Sequence, residues 1–177
     1  MAKRKKSSNP LSKYGMYILL VLSVVVAAML FLNAVTYKPE NGDPTSYAGT
    51  LVAFGGKIEN ASFNIGGALS GTLKVDFSIL ACIAYLLPVV GCIVGMLIKN
   101  KQIKGFIVAI CFLAAAILCF MMPQITHISY TTNVFGRESV TVDSFASRGY
   151  VLGIGSIIAG AVSALGTLVG ITYTVSK

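Results

Sequence analysis

Four long apolar runs organise the chain: residues 16–35, 79–98, 105–122 and 150–175, none of them interrupted by a charged residue. About twenty residues rising ~1.5 Å each as an α-helix reach ~30 Å, the thickness of a bilayer's hydrocarbon core. The runs are continuous, without the one-sided spacing of a soluble amphipathic helix, and each predicts a membrane-spanning helix. Only residues 99–104 separate the second run from the third, so those two helices are antiparallel neighbours. The fourth run exceeds the span required, which predicts tilting or projection past the membrane surface.

Between the runs the pattern changes to period two. Thr72, Lys74, Asp76 and Ser78 alternate with Leu73, Val75, Phe77 and Ile79. That alternation predicts a half-buried strand running straight into the second helix. Residues 51–54, and Phe63 with Ile65, are further strand candidates, punctuated by Gly55, Gly56, Gly66, Gly67 and Gly71. Val140 and Val142 alternate with Ser139, Thr141 and Asp143, and residues 135–138 can turn a hairpin. Residues 38–44, KPENGDP, are turn chemistry. The expected fold class is an all-α membrane protein: a four-helix transmembrane bundle with a small β-rich extracytoplasmic cap. Residues 1–13 form a basic cytoplasmic tail and 14–177 a single membrane domain, with outer loops 36–78 and 123–149.

Composition supports lipid as the solvent, since 55% of the 177 residues are hydrophobic and 11% charged. A soluble domain carries roughly 25% charged residues. The net charge of +8 does not indicate nucleic-acid binding, because Lys3, Arg4, Lys5, Lys6 and Lys13 gather in one tail beside an apolar helix. Such a tail fixes topology and touches anionic membrane lipid. The tail, residues 99–104 and Lys177 hold nine basic residues and no acid; the two remaining loops hold five basic residues and all six acids. The bias predicts a multi-pass plasma-membrane protein with its N-terminus and C-terminus cytoplasmic. The first run is longer than the roughly 7–15 apolar residues of a cleavable signal, and Leu32 would stand three residues before a cut after Ala34. It reads as an uncleaved anchor.

Small residues at four-residue spacing are the clearest motif within the runs. Gly91 and Gly95 mark the second helix; Gly149 with Gly153, Ser156 with Gly160, and Gly166 with Gly170 mark the fourth. Such spacing lets helix backbones approach closely, within one bundle or between copies of the chain. Pro88 lies mid-way along the second run, where it removes one backbone hydrogen bond, frees the carbonyl of Ala84 and predicts a kink.

Candidate chemistry is sparse. No Asp, Glu, Lys, Arg or His lies within the runs, which counts against ion-coupled transport. Asn33 and Tyr85 are the polar exceptions, each explained by one interhelical hydrogen bond. His127 is the single histidine, and no nucleophile, carboxylate pair or cysteine set brackets it. No catalytic, cofactor-binding or metal site is expected, and enzymatic activity is not expected either. Cys82, Cys92, Cys111 and Cys119 all lie in apolar runs and read as buried thiols, with a Cys82–Cys119 bridge open on grounds of depth. Asn60, Ala61 and Ser62 fit the N-glycosylation pattern. The echo between residues 53–57, AFGGK, and 134–138, VFGRE, reads as chance.

Four helices with a long, strand-bearing first outer loop and a shorter second one resemble the claudin-like layout. The resemblance is one of topology alone. That family's first loop carries a tryptophan motif and a cysteine pair, whereas this chain has no Trp and no loop Cys. The functional expectation is an interaction or structural protein acting through its outer loops, on a second copy or on another membrane or envelope protein. The alternative is a small channel or an accessory subunit of a transport complex.

Overall fold

The computed structural model describes residues 10–39, 43–58, 63–65 and 69–176. The tail basic residues Lys3 to Lys6, Glu40, Glu59, the Asn60 pattern, the Gly66 and Gly67 pair and Lys177 lie outside the described residues. Helix α1 (Pro10–Ala28) passes through a 3-10 turn, Met29–Phe31, into β1 (Asn33–Tyr37) and β2 (Thr45–Ala48). Then come α2 (Gly49–Phe54), β3 (Gly56–Lys57), β4 (Phe63–Ile65) and β5 (Leu69–Val75). Helices α3 (Ile79–Leu97) and α4 (Lys101–Phe120) follow, then α5 (Met122–Ile125), β6 (His127–Val134) and β7 (Arg137–Ser144). The chain closes with a 3-10 turn at Ala146–Arg148, β8 (Val151–Leu152) and α6 (Ile154–Val175).

Four helices (α1 with its 3-10 extension, α3, α4 and α6) are long and apolar enough to cross a membrane. They pack in a closed ring, α1 against α3, α3 against α4, α4 against α6 and α6 against α1. Helix ends converge away from the sheets, where Lys101 Nζ donates to the Ser176 carbonyl at 2.6 Å and stands 5.0 Å over the Tyr173 ring. The radial pattern inverts that of a soluble bundle. Ala81, Ala84, Gly91, Cys92 and Gly95 of α3 are buried, while Leu80, Ile83, Leu86, Val90, Ile93 and Leu97 are exposed. With lipid outside, large apolar side chains gain nothing by facing inward, and small ones let backbones meet.

The protein is not all-α. It carries two antiparallel sheets, one of order β2–β1–β8 and one of order β3–β5–β6–β7, with β4 pairing the same edge of β5 as β3. Both sheets lie at the end of the bundle where α1 and α4 finish and α3 and α6 begin. The first of them consumes the ends of two apolar runs. Val35 pairs with Leu152 and Thr36 with Val151, so residues 33–35 and 151–152 are strand and not helix. The surplus length of the fourth run is therefore β8, and Asn33 is an exposed strand residue. An apolar run does not distinguish helix from strand, and here strand pairing supplies the backbone partners.

Residues 51–54 are also corrected, from strand to helix. Gly49 N donates to the Leu32 carbonyl at 2.8 Å, and a Cβ on Gly49 would stand 2.7 Å from the Leu30 carbonyl oxygen. That close backbone approach starts α2, and Gly55 at φ +73° ends it. Strand β5 keeps the expected alternation, with Leu73 and Val75 buried and Thr72 and Lys74 exposed. It stops before the helix. Ser78 is buried and its Oγ accepts from Ala81 N at 3.3 Å as the cap of α3, which leaves Phe77 exposed.

Pro88 is buried inside α3, and the orphan carbonyl it creates has a partner. The Cys119 thiol of α4 donates to the Ala84 carbonyl at 3.9 Å. All four cysteines are free thiols, so Cys82 and Cys119 do not pair.

Candidate interaction surface

Five of the six helix-packing candidates distribute over two helix interfaces. A Cβ on Gly91 would stand 2.6 Å from Cys111 Cβ, and one on Gly95 2.7 Å from Val108 Cγ2, so both press α3 onto α4. On α6, Gly160 lies under the Phe120 ring, Gly166 under the Phe112 ring, and Gly170 against Ala109. All three face α4. Gly153 precedes α6, where its N–H donates to the Ala34 carbonyl at 2.8 Å and its Cα lies over the Asn33 backbone. Gly105 against Thr174 and Gly15 against Tyr173 make equally close approaches, although neither is among those candidates.

A buried polar chain fastens the three-stranded sheet to the bundle. Ser156 Oγ donates to the Ala34 carbonyl at 2.9 Å, so the Tyr85 hydroxyl, 3.1 Å away, donates to Ser156. One hydroxyl relay thereby joins α3, α6 and β1. Next to it stands an aromatic cluster. Tyr150 meets Phe145 edge-on at 5.0 Å between centroids, stacks on Tyr47 at 5.7 Å and lies 5.2 Å from Tyr37. Burial, and then the hydrogen bond to Tyr47, push the Tyr150 phenol well above the usual tyrosine range.

The second sheet is tied at its root and open at its tip. Val75, Leu73 and Ile128 join the core that also holds Phe145 and Met122. Ser129 donates to the Asp76 carboxylate, and Arg148 Nε donates to Asp143 Oδ2 at 2.9 Å while its guanidinium lies 4.4 Å over the Tyr130 ring. Beyond these anchors β6 and β7 run in unbroken register from His127 opposite Ser144 to Val134 opposite Arg137. The turn is Phe135 and Gly136, at φ +49° and +81°. Both positions of such a two-residue turn require positive φ. Gly136 accepts this freely, and its N–H donates to Asn133 Oδ1 at 3.0 Å. Phe135 is a bulky residue in a conformation costing about 1 kcal/mol, and its side chain is 85% exposed. The glycines of the 53–57 and 134–138 echo both have positive φ, but one ends a helix and the other turns a hairpin.

Strand β7 ends the sheet. Val140 and Val142 are 57% and 55% exposed. Hydrogen bonds in a two-residue hairpin fall on the pair flanking the turn and on every second pair after it. The bond from Phe145 N to the Thr126 carbonyl at 3.1 Å continues that parity at the root. The N–H and C=O groups of Glu138, Val140 and Val142 therefore point to the outer edge, where among the described residues nothing bonds to them. This edge is what the sequence leaves hidden, since alternation states which residues share a face and not whether the face is covered. His127 opens β6 and is exposed. Comparison of the chain with protein-family models, with curated proteins and with solved structures finds no match to any of them.

Proposed function

We propose that this chain is a non-enzymatic, multi-pass protein of the plasma membrane, with cytoplasmic termini, that binds a protein partner through the extracytoplasmic β6–β7 hairpin. The observation that carries the reading is the open edge of β7, where the outward backbone groups of Glu138, Val140 and Val142 are unbonded among the described residues, with Phe135 exposed at its tip. Exposed edges of this length are ordinarily blunted by charged side chains, Pro, a bulge or a covering element. β7 contains no Pro, its charges Arg137, Glu138 and Asp143 stand towards its two ends and leave residues 139–142 uncharged, and its ladder with β6 has no register shift. Strand addition to such an edge gains main-chain hydrogen bonds and covers the two valines. A pore within one bundle has less support, because Tyr85, Phe112 and Leu19 are fully buried among small residues.

Photo-crosslinking in native membranes tests the reading. A photoreactive residue at Phe135 yields discrete adducts, and Val140→Lys with Val142→Lys removes them. Absence of adducts from every hairpin position would overturn it. In intact cells Ser139→Cys reacts with a membrane-impermeant maleimide and Asn100→Cys does not; the reverse labelling overturns the orientation.

A further inference from the structure

We infer that the occupant of the β7 edge is a second copy of this chain, whose own β7 pairs antiparallel with Val140 opposite Val140. The inference rests on the hairpin being a contact surface and names the partner. Parity restricts the choice first. Only the even-numbered residues of β7 direct backbone groups outward, so a two-fold ladder must be centred on a residue and not between two. Centring between Val140 and Thr141 would bring outward groups against inward ones and set Glu138 against Asp143.

Charge then selects among the remaining registers. Centred on Val140, Arg137 lies opposite Asp143 at both ends of the ladder, Glu138 opposite Val142, and Ser139 opposite Thr141. Centred on Thr141, Arg137 meets Phe145 and Asp143 meets Ser139; centred on Ser139, Arg137 meets Thr141 and Asp143 meets Phe135. The Val140 register alone places opposite charges face to face, and it does so twice by symmetry. Asp143 has capacity for this second cation, because both Arg148 contacts fall on Oδ2. Arg137 and Asp143 then form a pair without mutual backbone bonds, the class in which opposed side chains come closest. At the centre the two Val140 side chains, each more than half exposed in one copy, cover one another. The product is an isologous dimer in which the second sheet of each copy continues into the other.

Cysteine scanning of the full chain in proteoliposomes tests this register. Under mild oxidation Val140→Cys gives a disulfide-linked dimer at least ~10-fold faster than Phe135→Cys or the unsubstituted chain, since its facing Cα atoms fall within disulfide range. Glu138→Cys mixed with Val142→Cys gives the heterodimer. Arg137→Glu, an exposed substitution that leaves the fold intact, weakens the dimer about tenfold by placing two acids opposite each other. Val140→Cys dimerising no faster than Phe135→Cys, or Thr141→Cys exceeding it, overturns the inference. Hairpin photo-adducts whose mass is not that of two copies overturn it while leaving the contact surface standing. No adducts at all remove both.

Discussion

The two sheets at the end of the bundle are built alike and finished differently. In the first, β1 lies between strands of four and two residues, and the Tyr85–Ser156–Ala34 relay ties it to two helices. In the second, β5 and β6 are covered at the root, but the outermost strand has both faces exposed over its first six residues. Short edges offer little template for further pairing; a long one offers a complete ladder. One sheet is thus tied to two helices, and the other keeps an open edge at Glu138, Val140 and Val142.

Variants sharpen that contrast in order of effect on stability. Gly166→Leu places its side chain where the buried Phe112 ring stands, and should cost about 3 kcal/mol in steric-trapping or detergent unfolding measurements. An unchanged stability would remove the α4–α6 seam as the foundation of the fold. Ser156→Ala leaves the Tyr85 hydroxyl without its partner and removes one of the two donors to the Ala34 carbonyl, which keeps the Gly153 N–H, an expected loss of about 1.5 kcal/mol. Tyr85→Phe leaves Ser156 bonded to Ala34 and should cost less than Ser156→Ala in the same assay. The reverse ranking would mean that the relay does not fasten the first sheet.

Cys119→Ala should lose about 0.5–1 kcal/mol, and the loss should shrink in a Pro88→Ala background, where Ala84 regains its backbone donor. A double-mutant cycle with no coupling would separate the thiol from the proline. Tyr150 supplies a pH test. Its phenol is raised above the unfolded value, so its contribution is present below about pH 10 and is lost as pH climbs beyond. Alkaline destabilisation should be steeper in the native chain than in Tyr150→Phe, and a phenolate in the ordinary range in the native-minus-Tyr150→Phe absorbance difference would contradict the burial. At the foot of the ranking, Val140→Lys with Val142→Lys should change stability by less than about 0.5 kcal/mol while abolishing partner adducts. A large loss of stability there would mean that β7 is part of the folded core.

Individual residues mark how much was legible in advance. Leu73 and Val75 are buried where their alternation with Thr72 and Lys74 puts them, because a pleat leaves one residue in two on each face. The Phe135–Gly136 turn falls within the hairpin expected from its glycine. Residues 51–54 misled because four apolar residues have no resolvable period, and only the contact of Gly49 with the Leu30 backbone starts a helix there. Val140 and Val142 show what alternation leaves open. Their alternation is real, but no element of the bundle reaches them. Of the spaced glycines, Gly91, Gly95, Gly160, Gly166 and Gly170 lie against neighbouring helices, whereas Gly149 and Gly153 precede α6 and meet β1, and the unnamed Gly15 and Gly105 approach their neighbours equally closely.

Uncharged length decides lipid residence locally, residue by residue, so the number of membrane-long helices was already present in the order of amino acids. The alternation of β5 is a local property of the same kind. Which run-ends leave their helices to pair as β1 and β8, which hydroxyl meets the Ala34 carbonyl, and which strand is left at the edge depend on residues more than a hundred positions apart. Those are properties of three-dimensional neighbours, because a backbone group or an apolar face is satisfied by whatever the fold brings beside it.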